Sequence, residues 1–168
     1  MNAQPAFNTV FQNDISNYRE NDDTISSLNA RRFRVRVEIP RSAWVKELED
    51  RFDELTSLPR GWDGYAGAPV SFNCAQFAAN LIERLCVNSL PAPQLVPMPD
   101  GTVRLEWHMN QFDLEIDVLG PYNVLAYRAD LLTGEEEEIE IETDFSVLSD
   151  WVSKLATYRK EFLEQAGG

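Results

Sequence analysis

The sequence predicts an α+β fold, an antiparallel sheet of about four to five strands with helices packed on one face, in the order β-α-α-β-β-β-β-α. Three observations lead there. Apolar residues recur at helical spacing in two stretches before residue 90, alternate strictly after Asp100, and return to helical spacing after Thr143. Glycine and proline fall between these stretches rather than inside them. The alternating stretches also follow one another through short turns, as in a meander, with helical segments before and after them.

Residues 1–30 are rich in Asn, Ser, Asp and Gln and show no sustained period, which predicts a loosely held arm. Residues 31–168 read as a single domain, long enough to bury a core without metal or disulfide staples. In Arg32-Phe-Arg-Val-Arg-Val-Glu-Ile39, Phe33, Val35, Val37 and Ile39 alternate with Arg32, Arg34, Arg36 and Glu38, the pattern of a half-buried strand. Pro40 ends it. Val45, Leu48, Phe52 and Leu55 then mark a helix over about 41–57, with Ser42 available as its cap.

Leu58 to Pro69 holds three glycines and two prolines and predicts a structured loop. Ser71 can cap a second helix with the stripe Cys74, Phe77, Ala78, Leu81 and Leu85, ending near Asn88 before Pro91 and Pro93. Asp100-Gly101 predicts a turn into a strand whose Val103, Leu105 and Trp107 face inward. The next strand turns Phe112, Leu114, Ile116 and Val118 inward, and Gly120-Pro121 breaks it. Strands over about 123–129 and 136–142 continue the meander through Thr133-Gly134. Thr143 or Asp144 then caps a last helix carrying Leu148, Trp151, Val152, Leu155, Tyr158 and Phe162.

The chain has 15 Lys and Arg against 28 Asp and Glu, a formal charge of −13. Such acidity argues against direct binding of nucleic-acid phosphates, which relies on clustered cations. The charge is also localised. Asp100 to Asp144 holds thirteen acidic residues against two basic ones, Arg104 and Arg128, a balance of −11, whereas residues 31–60 hold eight basic and six acidic residues. In the predicted strand phases, Glu106, Asp113, Glu115, Asp117, Glu138 and Glu140 project away from the helices. One reading makes this face half of a charge ladder completed by Arg32, Arg34 and Arg36 on a neighbouring strand. Another makes it an electronegative plate for a basic protein partner, able to imitate rows of phosphate, with Glu136 among its residues. No Asp-x-Asp-x-Asp-Gly loop accompanies it, so no metal or cofactor site is expected.

Gly61-Trp62-Asp63-Gly64-Tyr65 allows two readings. Trp62, Asp63 and Tyr65 can form part of a recognition surface. Alternatively the aromatics fold back on the helical layer, with Gly61 and Gly64 at positive φ and Asp63 bracing the turn. His108, the only histidine, lies in the outward phase beside Glu106 and would suit a general base, but no nucleophile elbow, phosphate loop or HExxH motif goes with it. Cys74 and Cys86 sit too far apart on one helix to bridge and read as buried thiols. No apolar run is long enough to span a membrane and residues 1–25 do not read as a secretory signal, so a cytoplasmic location is expected.

Leu58-Pro59-x-Gly61-Trp62-Asp63-Gly64-Tyr65, Pro69-Val70, Pro99-Asp100-Gly101, Leu105-Glu106-Trp107-His108 and Asp113-Leu114-Glu115-Ile116 together resemble a family of small, uncharacterised bacterial and phage-borne proteins. The resemblance covers about residues 50–120 and departs at Ala66, which interrupts the expected Tyr-Gly-Ala. It implies a mobile-element or host-conflict setting and carries over no catalytic residue.

These readings converge on a non-enzymatic acidic binding protein, inhibitor-like or antitoxin-like, that engages a basic partner through Glu106, Asp113, Glu115, Asp117, Glu136, Glu138 and Glu140 and through Trp62, Asp63 and Tyr65. Two alternatives stand beside it. One is a small enzyme or ligand-binding module joining His108 and Glu106 to the Trp62–Tyr65 loop in one pocket. The other is a structural subunit of a larger complex.

Overall fold

The computed structural model describes residues 34–37, 44–85, 90–109 and 111–166, with side chains as far as Thr157. The chain divides after Arg34 into two units, and the described residues from Val35 onward belong to the second. Within that unit, helix α1 (Val45–Thr56) buries the stripe Leu48, Phe52 and Leu55. It starts at Trp44 without a side-chain cap, and Ser42 lies outside the described residues. Helix α2 (Phe72–Leu85) is capped as expected, the Cys74 N–H donating to Ser71 Oγ at 3.2 Å. Cys74 is a buried free thiol, and Cys86 is outside the described residues.

Five strands follow, β1 (Gln94–Pro97), β2 (Val103–Met109), β3 (Phe112–Gly120), β4 (Asn123–Asp130) and β5 (Glu135–Ile141). They form one sheet in chain order, every neighbouring pair antiparallel. Helix α3 (Ser146–Ala166) closes the chain after Asp144, whose carboxylate accepts the Ser146 N–H at 3.0 Å. The helices cover one face of the sheet. Val103, Leu105 and Trp107 of β2 and Leu114, Ile116 and Val118 of β3 are buried with Phe52, Ile82, Leu148, Trp151, Val152 and Leu155 in one core. Period-two alternation thus assigns the inner face as the sequence predicts.

The α+β class, the antiparallel sheet and the helix-covered face agree with the sequence reading, while two elements differ. Residues 34–37 form no strand, although Val35 and Val37 are buried and Arg34 and Arg36 exposed as alternation requires. The Val37 N–H donates to the Glu49 carboxylate of α1 at 3.2 Å, and Arg36 reaches the same carboxylate at 3.2 Å, so a helix side chain replaces a strand partner. Arg32 and Glu38 lie outside the described residues. The place expected for that strand belongs to β1, which sits in the connection between Pro93 and Pro99. Period analysis passes over four residues flanked by prolines, and β1 is set by its register on β2, Gln94 to Glu106 through Pro97 to Val103.

Candidate functional site

The register of the sheet builds a polar grid on the face away from the helices. Val96, Arg104, Asp117, Leu125 and Glu140 form one row across β1 to β5; Gln94, Glu106, Glu115, Tyr127 and Glu138 form the next; His108, Asp113, Ala129 and Glu136 form a third. Seven carboxylates therefore share this face with one guanidinium. Six of them are the residues whose strand phase the sequence turns outward, and Glu136 is the seventh.

Arg104 is the hub of the β2–β3 half. Its Nε and Nη2 donate to the two oxygens of Asp117 at 2.5 and 2.9 Å, its Nη1 donates to Glu115 at 2.6 Å, and Glu106 lies 3.9 Å away. The hydrogen bonds to Asp117 and the surrounding negative charge raise the guanidinium's pKa further above its ordinary value. Cross-strand neighbours explain the arrangement. Glu106 and Glu115 are directly opposite, a repulsive pair that an adjacent cation relieves. His108 extends the network, with Nδ1 2.9 Å from Asp113 and Nε2 3.4 Å from Glu106. The hydrogen bond to Asp113, seconded by Glu106, raises the imidazole pKa and favours its charged, doubly donating form.

The β4–β5 half differs. Leu125, Tyr127 and Ala129 make a weakly polar stripe along β4, bounded by Asp113, Glu115 and Asp117 on β3 and by Glu136, Glu138 and Glu140 on β5. The two carboxylate rails are two strand spacings apart, about 9.5 Å, with charges about 6.7 Å apart along each rail. The β5 glutamates are exposed. Tyr127 is half-buried, and its desolvation together with Glu136 and Glu115 raises its pKa. Arg128, the second basic residue of the meander, does not neutralise this face. It points to the helix side, where it pairs with Glu137 at 2.7 Å and stacks 5.2 Å from the Trp151 ring centroid.

Of the proposed ladder, Arg36 is 66% exposed and pairs with Glu49, off the sheet, while Arg32 lies outside the described residues; on the described face Arg104 is the cation that pairs with the carboxylates. Arg104 is the residue that sequence reasoning undervalued. Its signal was its place in the same outward phase as Glu106 and His108. The Leu125, Tyr127 and Ala129 stripe was also missed, because which strands flank it depends on pairing rather than on spacing.

The Gly61–Tyr65 loop lies elsewhere. Its flank hydrogen-bonds to the β1–β2 turn, Ala68 N–H to Pro99 at 2.8 Å and Ser71 N–H to Gly101 at 2.8 Å, the end of β2 remote from His108. His108 lies seven positions beyond Gly101, about 23 Å at ~3.3 Å per residue. Two cavities, of about 730 and 430 Å³, are lined by neither His108 nor the loop. The loop and His108 thus stand at opposite ends of β2, apart from each other rather than around one shared cavity. Gly61 and Gly64 take φ of 82° and 84°, Trp62 Nε1 donates to Ala68 at 2.8 Å, and Asp63 accepts from the Tyr65 and Gly67 N–H groups at 2.9 Å each. Those bonds hold the Asp63 carboxyl below its ordinary pKa. Trp62 and Asp63 are spent on the loop itself, whereas Tyr65, expected to fold back, is 91% exposed.

Glu106, His108 and Glu115 each bring one donor atom to within 4.8 Å of the others, a set able to hold a metal ion among the described residues. A cation there would compete with Arg104 for Glu115. No helix among the described residues is long and apolar enough to cross a membrane. Compared with known proteins, the chain matches no family model, no curated protein and no solved structure.

Proposed function

We propose that this protein is a non-enzymatic binding protein whose acidic sheet face engages a basic protein partner. The observation that carries the reading is the pair of carboxylate rails on β3 and β5 flanking Leu125, Tyr127 and Ala129. On the β3 side Arg104 offsets part of the charge; on the β5 side Glu136, Glu138 and Glu140 stand exposed. Charge of one sign on a flat face steers an oppositely charged partner and sets its orientation. Tyr127 adds an aromatic contact between the rails.

A partner that ordinarily binds nucleic acid presents the basic surface such a plate would occupy, as an inhibitor or antitoxin-like regulator. The test is capture of proteins from a bacterial lysate at low and high salt by the native protein and by Glu136→Lys/Glu138→Lys/Glu140→Lys. A basic protein retained at low salt, released at high salt and lost with the triple variant is the expected result. Equal retention by both forms overturns the reading. Because exposed charges are screened beyond about 8 Å at physiological ionic strength, salt sensitivity is intrinsic to it.

A further inference from the structure

The two edges of the sheet are finished in opposite ways. At β1 the edge is closed: the strand has four residues, ends in Pro97 and follows Pro91 and Pro93, and the Leu95 carbonyl accepts a hydrogen bond from Arg51 of α1 at 3.3 Å. Shortness, proline and a covering side chain are common ways to stop an edge from pairing. At β5 none of these is used. The strand has seven residues, contains no Pro or Gly, and keeps an unbroken register with β4 from Val124–Ile141 to Asp130–Glu135. No strand lies beyond it among the described residues. Every second N–H and C=O of such an edge points away from its one partner.

Among the described residues, charge alone guards this edge. Glu135, Glu136, Glu137, Glu138 and Glu140 are exposed along β5. Like charges opposed across a strand pair destabilise it, so a second copy of β5 is repelled, whereas lysine or arginine at alternate positions would meet a glutamate at each step. We propose that β5 is a docking edge at which a lysine- or arginine-bearing extended segment of the partner adds as a sixth strand, its basic side chains lying on the Glu136, Glu138 and Glu140 rail. Main-chain hydrogen bonds supply the grip and the alternating side chains supply the choice of partner. This mode rests on the reading of the acidic face as a basic-protein site and specifies how that site is used.

The probe is an alternating Lys-Val heptapeptide, capped at both ends, titrated into the native protein. Two further peptides carry N-methyl groups on the lysine backbone nitrogens or on the valine ones. All three have the same charge, but each methylated peptide has lost the donors of one edge. An added strand predicts that one methylated peptide binds at least tenfold more weakly while the other stays within about twofold of the parent, and that exchange of β5 amide protons slows on binding. Equal affinity of all three peptides overturns strand addition and leaves the acidic-face reading standing. No binding by any of them at low salt overturns both. A dimer of the protein alone that the parent peptide dissociates makes a second copy the occupant and overturns the proposal as well.

Discussion

Glu106 of β2 stands directly opposite Glu115 of β3 at the centre of the outer face, two carboxylates in register with Arg104 two residues along β2 on the same face. Side-chain exposure of 16% for Glu106 and 26% for Glu115 places both well out of bulk water. A like-charged pair in that position is tolerable only while the guanidinium is present.

Replacing Arg104 with Ala therefore leaves Glu106, Glu115 and Asp117 without their common cation. We expect a loss of about 2 kcal/mol, between the values for exposed and buried ion pairs. Urea unfolding measures it, and adding Glu115→Gln should restore part of the loss. Arg36→Ala, at a pair whose arginine is largely exposed, should change stability by no more than about 0.5 kcal/mol.

Asp113 favours the protonated form of His108, with Glu106 on its own strand adding negative charge. Its folded pKa lies above the ordinary value near 6.5. The pairing accordingly adds stability that is fully present below the unfolded pKa and disappears as pH rises through the higher folded one. Proton NMR of the single histidine should show the raised pKa, and Asp113→Asn should lower it. An unchanged titration in that variant contradicts the pairing.

The loop should respond to backbone changes and ignore its exposed aromatic. A Cβ at Gly67 would come within 2.8 Å of the Asp63 carboxylate carbon and 3.0 Å of Trp62 Nε1, breaking the bonds that shape the turn. Gly67→Ala should cost about 1–2 kcal/mol, and Tyr65→Ala no more than about 0.5 kcal/mol, by thermal or urea unfolding.

Asp144 is the cap of α3, and Asp144→Ala should lower the urea midpoint of unfolding. Asp144→Asn, which also accepts a hydrogen bond, should recover most of that loss. Equal losses for both variants would show that the carboxylate acts through charge rather than as a cap.

The periods and punctuation of the sequence sufficed for α1, α2, β2 to β5 and α3, because each buries one face and its apolar spacing records which. The caps at Ser71 and Asp144 were legible for the same local reason. β1 was not, since four residues among prolines have no period of their own and exist as a strand only by pairing with β2. The Arg34–Val37 stretch misled in the other direction. Alternation reports burial, and Val35 and Val37 are indeed buried, but it does not name the partner, which is Glu49 of a helix. In the site, the outward phase of Glu106, Asp113, Glu115, Asp117, Glu138 and Glu140 followed from period two. The Arg104 hub and the Tyr127 stripe required knowing that β3 lies between β2 and β4, which is a matter of register.

The central claim, that a basic partner is recognised by this face and not by acidity at large, is tested most directly by amide chemical-shift mapping with the Lys-Val heptapeptide at low salt. Helix α1 serves as an internal control, since it also carries acidic residues, Glu47, Glu49, Asp50, Asp53 and Glu54. The account predicts shifts concentrated at Asp113, Glu115, Asp117, Tyr127, Glu136, Glu138 and Glu140. Shifts of equal size along α1, or none in β3 to β5, would contradict it.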